Sequence, residues 1–361
     1  MSTRGLNKSI EELAAANVAA RRDAVEAFVA DLVRRGTIDN TIAPLFSHQL
    51  IHTYSKVQET VYPNLIAANG EVLPIDSSVD PAMDVWEDYT VDSYGSADWI
   101  GDDGESGTSS AISLSRKHGS MSEMGHSYDL TIFDLERAAK GLVSLDSLKG
   151  KIAKRSHDEL TNWVWLFGDA SRSINGLCNH PNIQVTLAAL NAGATSRLPA
   201  NKTNDEIIAD IAALVDAIPT ATLSAHFAAK VLVPLSFMQL CKNRRMGTGD
   251  GTLTLWGYLK EQYTGDDTGQ GKVEFRIMNE CDASLRRHPH TGTDDSGIAG
   301  DFLLALPPED KEMLSFIRAR AFTQRPPQEV GMKIHTDTHS KIGGCRCQIP
   351  MAVHRLSFGT T

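Results

Sequence analysis

The chain has 361 residues, with 35 Lys and Arg against 45 Asp and Glu for a formal net charge of −10, and hydrophobic residues at 41% beside charged ones at 22%. On a prior of roughly 100–200 residues per domain, this length predicts two domains or more, and the composition excludes global disorder and collagen-like repetition. The acidic balance disfavours a surface that grips nucleic acid through counterion release.

Residues 9–35 carry the pattern of a helix: Ser9 and Glu12 as a capping box, an apolar stripe of Leu13, Val25, Phe28, Val29 and Leu32, and Gly36 as the stop. From 37 to 78 the chain carries Pro44, Pro63 and Pro74 without a sustained helical period, which predicts an extended arm. Two β-prone stretches, 85–94 and 111–116, flank a tip of Gly, Asp and Ser at 101–107 and predict a long hairpin. Ile112 and Leu114 alternate with Ser113 and Ser115, so one face is thinly apolar. Two strands alone are marginally stable in water, so the hairpin needs motion or another molecule to cover it.

A short helix is expected over 132–140 and a long one over 144–167, with Leu145, Leu148, Ile152, Leu160, Trp163 and Phe167 as its packing stripe and Gly168 as its end. Gly150 inside it costs on the order of 1 kcal/mol relative to Ala. A turn-rich stretch at 176–181 leads through an Ala, Asn and Thr-rich connection to a helix over 204–218, with Thr203 and Glu206 as capping box and Pro219 as terminator. A mixed region follows: a buried strand at 231–233, a helix at 253–262, a half-buried strand where Val273, Phe275 and Ile277 alternate with polar residues, and a strand at 301–306. The last part returns to β character at about 313–323, 330–349 and 352–358. No repeat of fixed period is present, which removes solenoids and propellers.

No apolar run of about 18 residues exists, and the N-terminus lacks the apolar core of a signal peptide, so synthesis in a cytoplasm without membrane insertion is expected. Five sparse cysteines, Cys178, Cys241, Cys281, Cys345 and Cys347, predict free thiols. Signatures of phosphate loops, nucleophile elbows, zincins and paired C-x-x-C are missing, so no catalytic residue, cofactor or metal is assigned. The run 247–251 lacks dinucleotide-fingerprint spacing and reads as a loop. His335, His339, Cys345 and Cys347 form the best metal-like constellation, yet C-x-C on a strand also describes two small buried residues. His288 and His290 read as an exposed loop, Asp102, Asp103 and Glu105 as solvated charge, and Lys149, Lys151, Lys154 and Arg155 as a solvated helix face.

The order of elements, together with Tyr128-Asp129-Leu130-Thr131-Ile132-Phe133-Asp134-Leu135-Glu136-Arg137-Ala138-Ala139, Phe167-Gly168-Asp169 and the turn Gly176-Leu177-Cys178-Asn179-His180-Pro181-Asn182-Ile183, resembles the major capsid proteins of tailed bacteriophages. Their α+β fold, of the Hong Kong 97 type, is shared with encapsulins. The resemblance covers about 40–358. It implies an N-terminal helix and arm (1–60), the start of a peripheral domain (61–83), an extended loop (84–127), a peripheral domain with a spine helix (128–183), an axial domain (184–310) and a return to the peripheral domain (311–361). It implies a non-enzymatic subunit of an icosahedral head that encloses double-stranded DNA. The expected partners are copies of the chain in pentamers and hexamers, with scaffolding, portal and decoration proteins and non-specifically contacted DNA, in a virion assembled in a bacterial cytoplasm. The short N-terminal segment predicts a separate scaffolding protein. Expected contact residues of the loop are Trp99, Asp102, Asp103, Glu105, Arg116 and Lys117, the last being the loop's only lysine. Alternatives are an encapsulin-like container and a metal-dependent hydrolase built on the His and Cys constellation.

Overall fold

A computed structural model of the chain describes residues 63–97, 99, 110–134, 136, 145–246, 253–264 and 272–359. The helix expected at 9–35, most of the arm, the hairpin tip and the run 247–251 lie outside the described residues. The first sheet is built from β1 (Ile75–Asp76), β2 (Val85–Tyr94), β3 (Ala111–Thr131), β8 (Leu314–Gln324), β9 (Gln328–Val330) and β10 (Lys333–Cys347), in the order β1-β8-β10-β3-β2 with β9 also on β10. The second contains β4 (Gln184–Leu187), β5 (Lys230–Val233), β6 (Glu274–Ile277), β7 (Phe302–Leu306) and β11 (His354–Ser357), in the order β4-β11-β7-β5-β6. Both sheets belong to one compact unit, 63–136 with 144–361.

Helix α1 (Leu145–Phe167) packs on the first sheet, and its sequence explains its packing in two halves. In the first half, small and polar residues at helical spacing face the first sheet. Gly150 lies by the Tyr128 hydroxyl, Ala153 packs with Tyr128 and Leu130, and His157 contacts Ser340 (2.8 Å) and Thr338 (3.2 Å). Ile152, expected in the packing stripe, is instead 59% exposed, because small residues let the helix approach the sheet on its other face. Leu148 is half-buried, and no side-chain environment is described for Leu145. From Thr161 onward every residue of α1 is buried, and Trp163, Val164, Trp165, Leu166 and Phe167 enter the main core, with Leu160 packed against it. Trp165 stacks on Phe316 of β8, with centroids 4.9 Å apart, and donates its indole N–H to the Gly343 carbonyl at 3.1 Å.

The end of α1 shows why the Gly-Leu-x-Asn turn follows it. The last helix carbonyls have no partners inside the helix. Here the Leu177 and Cys178 N–H groups donate to the Trp165 and Leu166 carbonyls at 2.8 and 2.7 Å, and the Asn179 amide reaches the Phe167 carbonyl at 3.4 Å. Gly168, at φ 76°, turns the chain into this arrangement; a Cβ there would lie 2.4 Å from the Ile174 carbonyl oxygen.

The second sheet is apolar on both faces. Phe302, Leu304 and Leu306 join the core around α1, whereas Leu303 and Ala305 face a second core with α2 (Asn204–Ala221), α3 (Leu235–Asn243) and α4 (Leu255–Thr264). A strand buried on both faces reads as continuous apolar sequence, as β7 does. Helix α2 begins on its capping box, with the Glu206 N–H donating to the Thr203 hydroxyl (3.3 Å) and the Thr203 N–H to Glu206 (2.7 Å). It continues past Pro219 to Ala221, because that proline falls in the final turn. Strand β11 does not stay with the first sheet: it pairs with β4 in parallel and β7 in antiparallel fashion, so the terminal segment 354–357 belongs to the second sheet.

Candidate assembly interface

Strand β3 changes partners at Met121. Residues 121–131 pair with β10, from Met121↔Gly343 to Thr131↔Lys333, while 111–120 pair with β2, from Ala111↔Tyr94 to Ser120↔Val85. Within the expected excursion at 84–127, residues 121–127 therefore pair with β10, and 111–120 with β2 alone. On β2 the half-buried positions Trp86, Asp88 and Thr90 alternate with exposed ones, and beyond Thr90 the strand is exposed on both faces. Residues 112–116 of β3 are likewise exposed. At roughly 3.4 Å per residue, the uncovered length spans some 15 Å before the tip.

One face of this projecting part carries an apolar strip, interrupted by Arg116 opposite Tyr89 and by Ser93 opposite Ile112. Tyr89 and Val91 on β2 stand beside Leu114 and Ile112 on β3, with Val91 directly opposite Leu114 and Ile112 76% exposed. Fully burying a side chain of this size stabilises by roughly 1.5–3 kcal/mol, so the strip is a large unrealised gain.

The other face is latched to the body at its base. The Asp88 carboxylate accepts from Arg346 at 2.8 Å and from the Gln348 amide at 2.5 Å, and Lys117, the cross-strand partner of Asp88, donates to the Gln348 carbonyl. Burial alone would raise the Asp88 pKa, but the bonds from Arg346 and Gln348 and the Arg346 charge hold it below the ordinary aspartate value. Arg346 also sits 3.8 Å from Asp76, whose pKa is lowered against burial by bonds from Ser78 and by this charge. Four residues before Asp88, Asp84 pairs with the buried Lys341 at 2.7 Å. Trp86 lies flat across Gly119, where a Cβ would approach the indole to 2.6 Å, and packs with Met121, Ile317 and Ala319.

Of the expected contact residues, Trp99 is 97% exposed, and Arg116 is exposed and pairs with Glu87 at 3.4 Å. Lys117 is turned inward into the latch; Asp102, Asp103 and Glu105 lie outside the described residues. Sequence reasoning missed Asp84, Asp88, Lys341, Arg346 and Gln348. The alternation of Trp86, Asp88 and Thr90 was the signal that these residues face the body.

The metal-like constellation dissolves along β10. His335 bonds through its ring nitrogens to Asp129 (2.5 Å) and Asp337 (2.9 Å). The Asp129 bond raises its pKa, and the same bond lowers that of Asp129. Cys345 and Cys347 are buried in the main core, where burial pushes the Cys347 thiol up to about 12 and Cys345 well above its usual value. A thiol held protonated is a poor metal ligand. Among the described residues no group of three or more His, Cys, Asp or Glu is arranged to hold a metal ion, and no helix is long and apolar enough to cross a membrane. On α1, Lys149 donates to the Asp129 carbonyl and Arg155 pairs with Glu159 at 2.6 Å.

The family model for major capsid proteins matches residues 95–288, just over half of the chain. The chain belongs to the major capsid protein family. Among solved structures, the capsid of Myoviridae phage XM1 is similar with a TM-score of 0.67 at 13% identity, covering 86% of this chain and 97% of that one. Mycobacterium phage Ogopogo gives 0.54 at 10% identity over 86% and 98%, and the capsid of an empty GTA particle 0.54 at 10% over 90% and 100%. At such identities these likenesses speak for the fold, which is that of Hong Kong 97-type capsid proteins. No curated protein matches the chain in sequence. As a major capsid protein the chain has a structural role in a capsid shell, and the enzyme-container and hydrolase readings are not favoured.

Proposed function

We propose that this capsid protein tiles the icosahedral head of a tailed phage, as pentamers and hexamers around packaged double-stranded DNA, with separate scaffolding, portal and decoration proteins and assembly in the bacterial cytoplasm. In this reading the hairpin reaches a neighbouring copy. The region around α1 and the first sheet is the peripheral domain; the region from 184 to 310, joined by 354–357, is the axial domain. The observation that carries it is the exposed strip of Tyr89, Val91, Ile112 and Leu114 on a hairpin whose base is fixed by ion pairs. A surface that stays unburied in one chain gains its free energy on another, and closed symmetry repeats that gain around the shell.

Electron microscopy of the overexpressed protein, alone and with the candidate scaffold, tests this. Shells are expected from the wild type, and folded but unassembled subunits from a chain in which 91–114 is replaced by a short Gly-Ser turn. Normal shells from the shortened chain would overturn the role of the hairpin.

A further inference from the structure

Helix α2 ends in a turn that its sequence does not suit. Thr222 is the C-cap, Leu223 and Ser224 follow in left-handed backbone at φ 50° and 63°, and the Ser224 N–H closes on the Pro219 carbonyl at 2.7 Å. This is the Schellman arrangement, whose first left-handed position is usually glycine because a Cβ is strained there. Among the described residues Leu223 is the one large side chain at a positive φ; the other non-glycine cases are Ser173, Ala194 and Ser224. The strain brings no packing within the chain, since the Leu223 side chain is 91% exposed.

The turn is nevertheless held firmly. The Thr222 hydroxyl donates to the Ile218 carbonyl at 2.8 Å and accepts the His226 N–H at 3.1 Å, and the Ala225 N–H reaches the Thr222 carbonyl at 3.0 Å. On one side it joins the buried Ile218 and Pro219 of α2, and on the other the buried Ala228 and the wholly buried β5. Residues 217–229 contain no Asp, Glu, Lys or Arg, in a chain where such residues make up 22%. A fixed apolar knob on an uncharged stretch has the character of an interface centre, where charge is depleted.

We propose that Leu223 is an anchor between copies of the chain, burying its side chain against apolar surface of a neighbouring copy in the shell. The partner is a second copy because this is a capsid protein, and the neighbours of a capsid subunit are copies of itself. Each copy carries the same net charge of −10, and an uncharged contact lets them meet without like-charge repulsion. The left-handed backbone destabilises the lone subunit, and burial of the side chain on a neighbour offsets that cost. The anchor rests on the tiling reading and gives it a point of contact besides the hairpin.

Leu223→Gly separates the two effects, because it removes the side chain and suits the backbone. In the unassembled subunit it should leave Tm unchanged or raise it by a few degrees. Under conditions that give wild-type shells, the protein concentration needed for assembly, read by light scattering, should rise about tenfold or more. Leu223→Asn, whose side chain also tolerates the left-handed region, should raise it likewise. An assembly threshold unchanged in Leu223→Gly would overturn the anchor while leaving the tiling reading intact. So would a subunit Tm lowered by several degrees, since Leu223 would then be serving its own fold. High-resolution electron microscopy of wild-type shells is the second measurement: Leu223 enclosed by a neighbouring copy is expected, and Leu223 in solvent or covered by a different protein would overturn the anchor. Failure of the wild type to form shells at all would refute the tiling reading and the anchor with it.

Discussion

Replacing Asp88 by Ala tests the latch directly. Asp88 is mostly buried and accepts from both Arg346 (2.8 Å) and Gln348 (2.5 Å). Its loss leaves Arg346, only 22% exposed, with Asp76 at 3.8 Å. An exposed pair would be worth about 0–1 kcal/mol, but a hydrogen bond to a buried charge contributes about 1.5–3 kcal/mol. We therefore expect Asp88→Ala to destabilise the unassembled subunit by about 2–3 kcal/mol in urea unfolding, and Asp88→Asn, which keeps one acceptor, by about 1 kcal/mol. Hydrogen exchange should rise in 85–94 and 111–120 while α1 stays protected. A double-mutant cycle with Arg346→Met should give a coupling of about 1 kcal/mol or more. The pH dependence has a fixed sign. The folded pKa of Asp88 lies below its unfolded value near 3.9, so its stabilisation is present above that value and is lost as pH falls through the folded pKa. Wild type and Asp88→Ala should converge in stability in that acid range. A cost below about 0.5 kcal/mol at neutral pH, with no coupling to Arg346, would refute the latch.

Gly119→Ala places a Cβ 2.6 Å from the Trp86 indole and should cost about 1–3 kcal/mol by overpacking, read as a lower urea midpoint with quenching changes at Trp86. Thr203→Ala removes the cap of α2 and should cost about 1 kcal/mol in the same assay, with Thr203→Ser close to wild type. In Asp129→Asn the His335 pKa, measured by NMR, should fall toward its ordinary value; the stabilisation from this pair is full below about pH 6.5 and lost as pH rises through the raised folded pKa. An unchanged titration would show that Asp129 is not the cause.

What the sequence made legible, and what it hid, follows from distance along the chain. Helix α2 was readable because Thr203 and Glu206 sit three residues apart, and the extent of α1 because Gly168 ends it. The buried face of α1 was not: Gly150, Ala153, His157 and Thr161 are small or polar, so periodicity pointed to Ile152 instead. Helix α3 was hidden by Pro234, which breaks an apolar run and turns out to be the N-cap of a helix. Strand β4 has a polar-looking surroundings and pairs with β11, whose residues lie far away in sequence. The latch is the extreme case, since Asp88 and Arg346 are 258 positions apart and only the fold shows that they meet.

The two faces of the hairpin base solve a problem that a projecting strand pair poses. An uncovered hairpin loses little by swinging, and a swinging hairpin pays an ordering entropy each time a neighbour captures it. Asp88, Lys117 and Lys341 fix the base through directional bonds that do not depend on a neighbour. Tyr89, Val91, Ile112 and Leu114 beyond it are left without cover. Direction is thus set within one chain, while the gain in apolar burial is deferred to contact with another. Trp86, packed with Met121, Ile317 and Ala319, adds an apolar contact to the base on the face opposite the strip. A base held by charged and apolar contacts within the chain, with an uncovered strip beyond it, is the arrangement a subunit needs if it is to stay folded before it assembles.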